Sequence, residues 1–278
     1  MLSTILALNL RIFSNPFSNV IQKKLSQNGL NSLYINFLMY LGMSIVCLFL
    51  LPHFRIVSNE AWVWALIGGF FGASGNAFLI KALECGDLSV LGPINSYKPV
   101  VAMFVGIFML GEIPSILGLL GIAFIIFGSY FIFDKGEFSL SLLKRKDIQY
   151  RFLALILTAT EAVFIKQVII LTDITTSFIL WCWFGALFAL FLTKFNFKKV
   201  SKTSFLHIVL LVISMGLMQW STNYVFKHMN VSYALALFQL STIVSVLFGW
   251  KFFNEKDILR KLLGSVIMIC GAVMLILV

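Results

Sequence analysis

Charge is scarce in this sequence. Only 12% of the 278 residues are charged and 60% are hydrophobic, whereas soluble domains are roughly a quarter charged and about half apolar. That shortage excludes a soluble fold. Acidic residues are the scarcest class, with 11 Asp and Glu against 21 Lys and Arg and a net charge of +10. In a soluble protein such a balance would suggest nucleic acid or an anionic surface. Here most of the basic residues sit in short breaks between apolar runs, a pattern that marks cytoplasmic loops, so no nucleic-acid partner is expected. The four cysteines, Cys47, Cys85, Cys182 and Cys270, are far apart and mostly inside apolar stretches, which gives neither a CxxC site nor a disulfide framework. His53, His207 and His228 lack metal-ligand spacing. HExxH, P-loop, nucleophile-elbow and dinucleotide patterns are missing. No metal, cofactor or soluble-type enzyme chemistry is expected.

Long apolar runs fill the space that charge leaves. A bilayer core of roughly 30 Å is crossed by about 20 mostly apolar helical residues. Ten such windows can be drawn, at 3–22, 31–51, 61–82, 88–109, 114–133, 152–171, 175–194, 204–226, 231–253 and 258–277. The first does not read as a signal peptide, because it has no basic leader and is interrupted by Arg11 and by Asn15-Pro16. An internal repeat makes it a permanent helix. A gapless shift of 143 residues superposes Val20 on Val163, Lys23 on Lys166, Gly42 on Gly185, Val57-Ser58 on Val200-Ser201, Gly106 on Gly249, Glu112 on Glu255, Leu119-Leu120-Gly121 on Leu262-Leu263-Gly264 and Gly128 on Gly271.

Five helices is an odd number, so the second copy enters the membrane from the opposite side. The expected fold is therefore an all-α integral membrane protein of ten transmembrane helices, built as two inverted five-helix repeats. Residues 1–133 form the first repeat, 134–151 a basic linker loop and 152–278 the second repeat. Inverted repeats are a recurrent construction of secondary transporters, with the substrate site near the midplane between the halves. Loops 1-2, 3-4, 5-6, 7-8 and 9-10, with adjoining helix ends, hold sixteen of the 21 Lys and Arg; the other face has Arg55 and Lys227, and Arg11, Lys98 and Lys166 lie within helices. Positive-inside logic puts both termini on the non-cytoplasmic side.

The run Ala82-Leu83, Gly86-Asp87-Leu88-Ser89, Pro93, Pro99 and Leu110-Gly111-Glu112, followed by a glycine-marked fifth helix, resembles the EamA-type proteins of the drug/metabolite transporter superfamily. The second half carries a degenerate version, with Phe253-Asn254-Glu255 for Leu-Gly-Glu and with Ala236 and Thr242 in place of the prolines. The resemblance implies ten helices around a central cavity, alternating access, and movement of metabolites, amino acids, cofactors or drugs. Many similar proteins have cytoplasmic termini, the opposite of the charge count.

Ionisable groups inside the hydrocarbon cost about 2.5–3.5 kcal/mol at a helix centre and are functional by default. Three candidates stand out: Arg11, Lys98 and Glu161. Glu161 lies mid-window with Thr158 on the same face. It reads either as a proton site or as a neutral or ion-paired structural carboxylate. Lys98, in Asn95-Ser96-Tyr97-Lys98-Pro99, reads as a site for a substrate carboxylate or phosphate, or as the partner of Glu161; Asn95 shares its face, and Pro99 frees a carbonyl. Arg11 is close enough to the N-terminus to snorkel outward.

Asn76 and Gln219 coincide under the 143-residue shift, as expected of polar groups facing a shared cavity, though interhelical hydrogen bonding explains them equally well. Asn223 extends the Gln219 face, and Gln239 is comparable. Tyr97, Trp181, Trp183 and Trp220 are candidates for a cavity wall, although membrane aromatics usually pack or sit at interfaces. Two features read as structural. Glu112 and Glu255 should each offset the dipole of the helix that follows it, and Gly68 with Gly72, and Gly121 with Gly128, should allow close helix contact.

The expected function is secondary active transport of a small organic solute (metabolite, amino acid, cofactor or drug) by alternating access, with proton or ion coupling or exchange, in the cell (inner) membrane. A lipid-carrier translocator is the alternative, and a membrane scaffold or enzyme is less favoured. The expected partners are the small-molecule substrate and the lipid bilayer, in a monomer or homodimer.

Overall fold

The computed structural model describes residues 2–98, 100–101, 116–133, 144–194, 197, 200–229 and 231–274. Among these, regular structure is entirely helical: α1 (Leu2–Gln27), α2 (Ser32–Cys47, extended by a 3-10 turn over Leu48–His53), α3 (Asn59–Cys85), α4 (Leu88–Leu91, followed by a 3-10 segment over Pro93–Tyr97), α5 (Ile116–Ile132), α6 (Lys146–Leu171), α7 (Ile174–Leu192), α8 (Lys202–His228), α9 (Val231–Phe238), α10 (Ser241–Phe253) and α11 (Ile258–Met274). Six described spans are long and apolar enough to cross a membrane: Ser32–His53, Asn59–Cys85, Lys146–Leu171, Ile174–Leu192, Lys202–His228 and Tyr233–Phe253. Helix α5 is a shorter apolar helix.

The repeat governs local structure. The 143-residue shift carries both ends of α3 onto the ends of α8, and each helix starts at an equivalent serine cap. Ser58 Oγ accepts from Ala61 N at 3.2 Å, and Ser201 Oγ from Ser204 N at 3.1 Å; each satisfies a backbone donor that a helix leaves free at its first turn. The degenerate motif has a similar explanation. Asn254 stands where the first repeat has Gly111, and its φ of 53° is left-handed, a conformation that asparagine tolerates better than most side chains.

Packing runs mainly between the repeats. Helix α1 lies on α8 and α3 on α6, two pairs that the shift exchanges, while α2 lies on α7 and α5 on α11, pairs that map onto themselves. In the α5–α11 crossing, a Cβ added at Gly128 would lie 2.8 Å from Gly264 O, and one added at Gly264 would lie 2.6 Å from Gly128 O. A Cβ added at Gly271 would lie 2.5 Å from Gly121 O. The expected close contact of Gly121 and Gly128 is thus present, and it lets the two backbones touch where no hydrophobic force separates lipid from leucine. Polarity is distributed inside out. Phe49, Ile56, Leu119, Phe127, Phe205 and Leu206 are exposed, whereas Asn19, Gln22, Asn36, Asn76 and Asn223 are buried, as a lipid-facing surface requires.

Three local expectations are corrected. Residues 146–151, read as linker, form the first turns of α6 and bury Arg151. The fourth window is not a regular helix through Lys98: Pro93 lacks the N–H that would continue α4, and the chain tightens to 3-10 geometry up to Tyr97. The ninth window breaks between α9 and α10 at Gln239-Leu240. Pro99, Glu112 and Pro114 lie outside the described residues, so the freed-carbonyl and Glu112 dipole readings do too.

Candidate functional site

A cavity of about 100 Å³ opens between the two repeats. Helix α6 supplies one wall through Arg151, Ala154, Thr158, Glu161 and Ile165, positions three or four residues apart that make one stripe of a helix. Across from it, α1 contributes Arg11, Asn15 and Asn19, also spaced by four, and α8 contributes Met215, Met218, Gln219 and Thr222. Gly72 and Asn76 come from α3, Tyr40 from α2, Trp181 from α7, and Asn95 and Lys98 from the broken stretch after α4.

Glu161 is 8% exposed. Its Oε1 accepts one hydrogen bond, from Trp181 Nε1 at 2.6 Å. Gly72 makes room for it, because a Cβ there would collide with Oε1 and lie 2.9 Å from Cδ. Trp181 is fixed in turn by the Tyr40 ring, with centroids 4.9 Å apart. No ion pair within 4.0 Å joins Glu161 to Lys98, and Lys98 has no hydrogen-bond partner among the described residues. The directly paired alternative is therefore not the arrangement seen. The Lys98 ammonium is instead repelled by Arg151 and Arg11 and attracted by Glu161.

Arg11 does not snorkel. It is 9% exposed, donates from Nε to Thr222 Oγ1 at 2.9 Å, and lies 4.8 Å from the Phe238 ring centroid. Its Nη1 has no hydrogen-bond partner among the described residues. Arg151 donates from Nε to Leu91 O at 2.7 Å and from Nη2 to Asn95 Oδ1 at 2.9 Å, so it braces the irregular backbone ahead of Lys98.

Seven sequence candidates come together here: Arg11, Asn76, Asn95, Lys98, Glu161, Trp181 and Gln219. Three do not line the cavity. Asn223 is fully buried, accepting from Gln219 Nε2 at 2.9 Å. Gln239 donates to Leu235 O at 2.7 Å beside the α9–α10 break. Tyr97 turns to α5, donating to Ser129 Oγ at 3.0 Å. Trp183 stacks on Phe54 and Trp220 packs edge-on against Phe178, both away from the cavity. Sequence reading missed Arg151, whose signal was its place on the Glu161 stripe, and it missed Asn15 and Asn19, which continue the Arg11 face.

A second polar cluster closes one end of the interface. Glu255 accepts from Leu88 N at 2.9 Å, Ser89 N at 2.7 Å and Lys23 Nζ at 3.0 Å. It therefore serves the first turn of α4 in the other repeat and not, as expected, the helix that follows it. Lys23 also lies 3.8 Å from Asp87, and Lys261 Nζ donates to Ser89 Oγ at 2.9 Å. Burial alone would raise the Glu255 carboxyl, but hydrogen bonds from Ser89 and Lys23 and the Lys23 charge outweigh it and hold the group below the ordinary carboxylate value. Among the described residues, no cluster of three or more His, Cys, Asp or Glu is arranged to hold a metal ion.

One solved crystal structure superposes with a TM-score of 0.67 at 16% identity, covering 98% of this chain and 96% of its own, a likeness of fold alone. No curated protein sequence matches. The model of the EamA-like transporter family matches residues 3–134 and again residues 147–277. With nearly its whole length accounted for by two copies of that pattern, the chain belongs to the EamA-like transporter family.

Proposed function

We propose that this protein is a secondary transporter that moves a small organic solute by alternating access, through ten transmembrane helices arranged as two inverted repeats around the central cavity. One observation carries the reading. A polar, charged cavity is lined by helices of both repeats, so relative motion of the halves changes its exposure while its wall stays intact, the usual logic of such folds. Its volume, about 100 Å³, is below the 300–1,000 Å³ typical of drug-sized sites. That size favours a small solute and gives a lipid-linked headgroup no support. The charge count supports a cell-membrane protein with both termini on the non-cytoplasmic side.

Glu161 is the coupling residue in this reading. Its carboxylate has one hydrogen bond and no ion pair within 4.0 Å among the described residues, so its ionised form is costly until a proton or a cation accompanies it. Tyr40 and Gly72 face it from α2 and α3, Trp181 from α7 and Lys98 from the stretch after α4. The test is flux in proteoliposomes under an imposed pH gradient. Glu161→Gln should abolish gradient-driven accumulation while leaving substrate exchange intact. Normal proton-driven accumulation by a folded Glu161→Gln variant would remove the coupling role, and absence of any solute flux in wild type would remove transport.

A further inference from the structure

The charged groups of the cavity do not balance. Among the described residues, Arg11, Lys98 and Arg151 face one carboxylate, Glu161. An arginine keeps its proton in proteins, so Arg11 and Arg151 alone outnumber Glu161, and Lys98 adds a third cation when charged. Burying uncompensated charge is costly, and the usual remedy, a paired carboxylate, is missing among the described residues: no ion pair within 4.0 Å joins any of these cations to Glu161. The cluster also keeps donors in reserve. Among the described residues, neither the buried Arg11 Nη1 nor Lys98 Nζ has a hydrogen-bond partner.

We propose that the cavity is built for a small organic anion with two acidic oxygen groups, held by Arg11 Nη1 and Lys98 Nζ, with Arg151 supplying the remaining positive field. This inference rests on the transport reading for its meaning but not for its test. A dianion brings the negative charge that the wall lacks, and its oxygens accept the unused N–H donors as charge-assisted hydrogen bonds, which are about twice as strong as neutral ones. The neutral amides Asn15, Asn19, Asn76 and Gln219 line the rest of the cavity and suit the polar backbone of such a molecule. Arg151 is a positioning residue: two of its donors are committed to Leu91 O and Asn95 Oδ1, and through them it sets the stretch that presents Lys98. Glu161 then adds a sign rule. Its protonation removes the one negative charge of the wall and strengthens the hold on an anion, so proton and substrate bind together.

Binding to the purified full-length protein in lipid nanodiscs tests this without requiring flux. The probes are succinate and glutamate as dicarboxylates, glycerol 3-phosphate and inorganic phosphate as phosphate dianions, succinamide as the neutral isostere of succinate, and putrescine as the dication. At least one dianion should bind saturably, and at least tenfold more tightly than succinamide or putrescine. Preference between the carboxylate and phosphate arms identifies the acidic group. Lys98→Gln, at a position with no hydrogen-bond partner among the described residues, should weaken that dianion at least tenfold with its melting temperature preserved. Succinate affinity should rise as pH falls toward neutrality in wild type and rise less steeply in Glu161→Gln. Tighter binding of the neutral or cationic probe, no saturable binding by any dianion, or unchanged dianion affinity in Lys98→Gln would each overturn the proposal. Saturable dianion binding in a protein that carries no flux would leave the anion site standing and remove the transport reading.

Discussion

Removing the Glu255 carboxylate should cost more stability than any single change in the cavity wall. In Glu255→Ala, Leu88 N and Ser89 N lose their acceptors at 2.9 and 2.7 Å, and Lys23 loses its partner at 3.0 Å, keeping Asp87 at 3.8 Å and the Phe253 ring, whose centroid is 4.6 Å away. A buried donor left unsatisfied costs about 1–3 kcal/mol. Breaking a buried pair by deleting one partner costs about 3–5 kcal/mol. The three losses share one carboxylate and do not add, so the expected destabilisation is about 3–5 kcal/mol. At roughly 2–4 °C per kcal/mol for a chain of this order of size, the melting temperature should fall by about 6 °C or more. A double-mutant cycle isolates the ionic part: Lys23→Met and Glu255→Gln together should lose less than the sum of the single changes, with a coupling energy of about 1–3 kcal/mol. The assay is thermal unfolding of purified protein in one detergent at one pH. A Glu255→Ala protein that melts within about 1 °C of wild type, or singles that add without coupling, would refute the reasoning.

The same cluster sets an acid limit. Because the folded Glu255 carboxyl is held below its ordinary value, its stabilisation is present above that value and is lost as pH falls through the lower folded one. Melting temperature should drop on acidification below the ordinary carboxylate range, and Glu255→Gln should flatten that part of the profile; an unchanged profile in the variant contradicts the assignment. At Gly185 an added Cβ would overlap the Tyr40 ring, which packs on Trp181, so Gly185→Ala should destabilise by about 1–3 kcal/mol, the usual cost of overpacking, and a melting temperature equal to wild type would show that the contact yields freely. Topology is checked with an impermeant maleimide and a terminal cysteine tag: labelling in intact cells supports non-cytoplasmic termini, and labelling only after permeabilisation refutes them.

Sequence alone determined what depends on a stretch of chain considered by itself. A charge within an apolar run is costly wherever the helix packs, so Arg11, Lys98 and Glu161 stood out before any contact was known. The repeat was legible for the same local reason, since caps such as Ser58 and Ser201 and the left-handed position of Asn254 are set by a few neighbouring residues. Arg151 was hidden by a boundary. Counted as a loop charge, it joins the Glu161 stripe only because α6 begins at Lys146, and apolar windows do not report where a polar first turn starts. Tertiary placement decided which polar groups reach the cavity, turning Gln219 toward it while Asn223 stays buried behind Gln219 as its acceptor and Tyr97 bonds to Ser129. Glu255 belongs wholly to tertiary structure. Its acceptor role is toward an N–H 167 residues away, and a carboxylate beside a helix start favours the nearest dipole until packing brings another, buried and without an acceptor, within 3 Å.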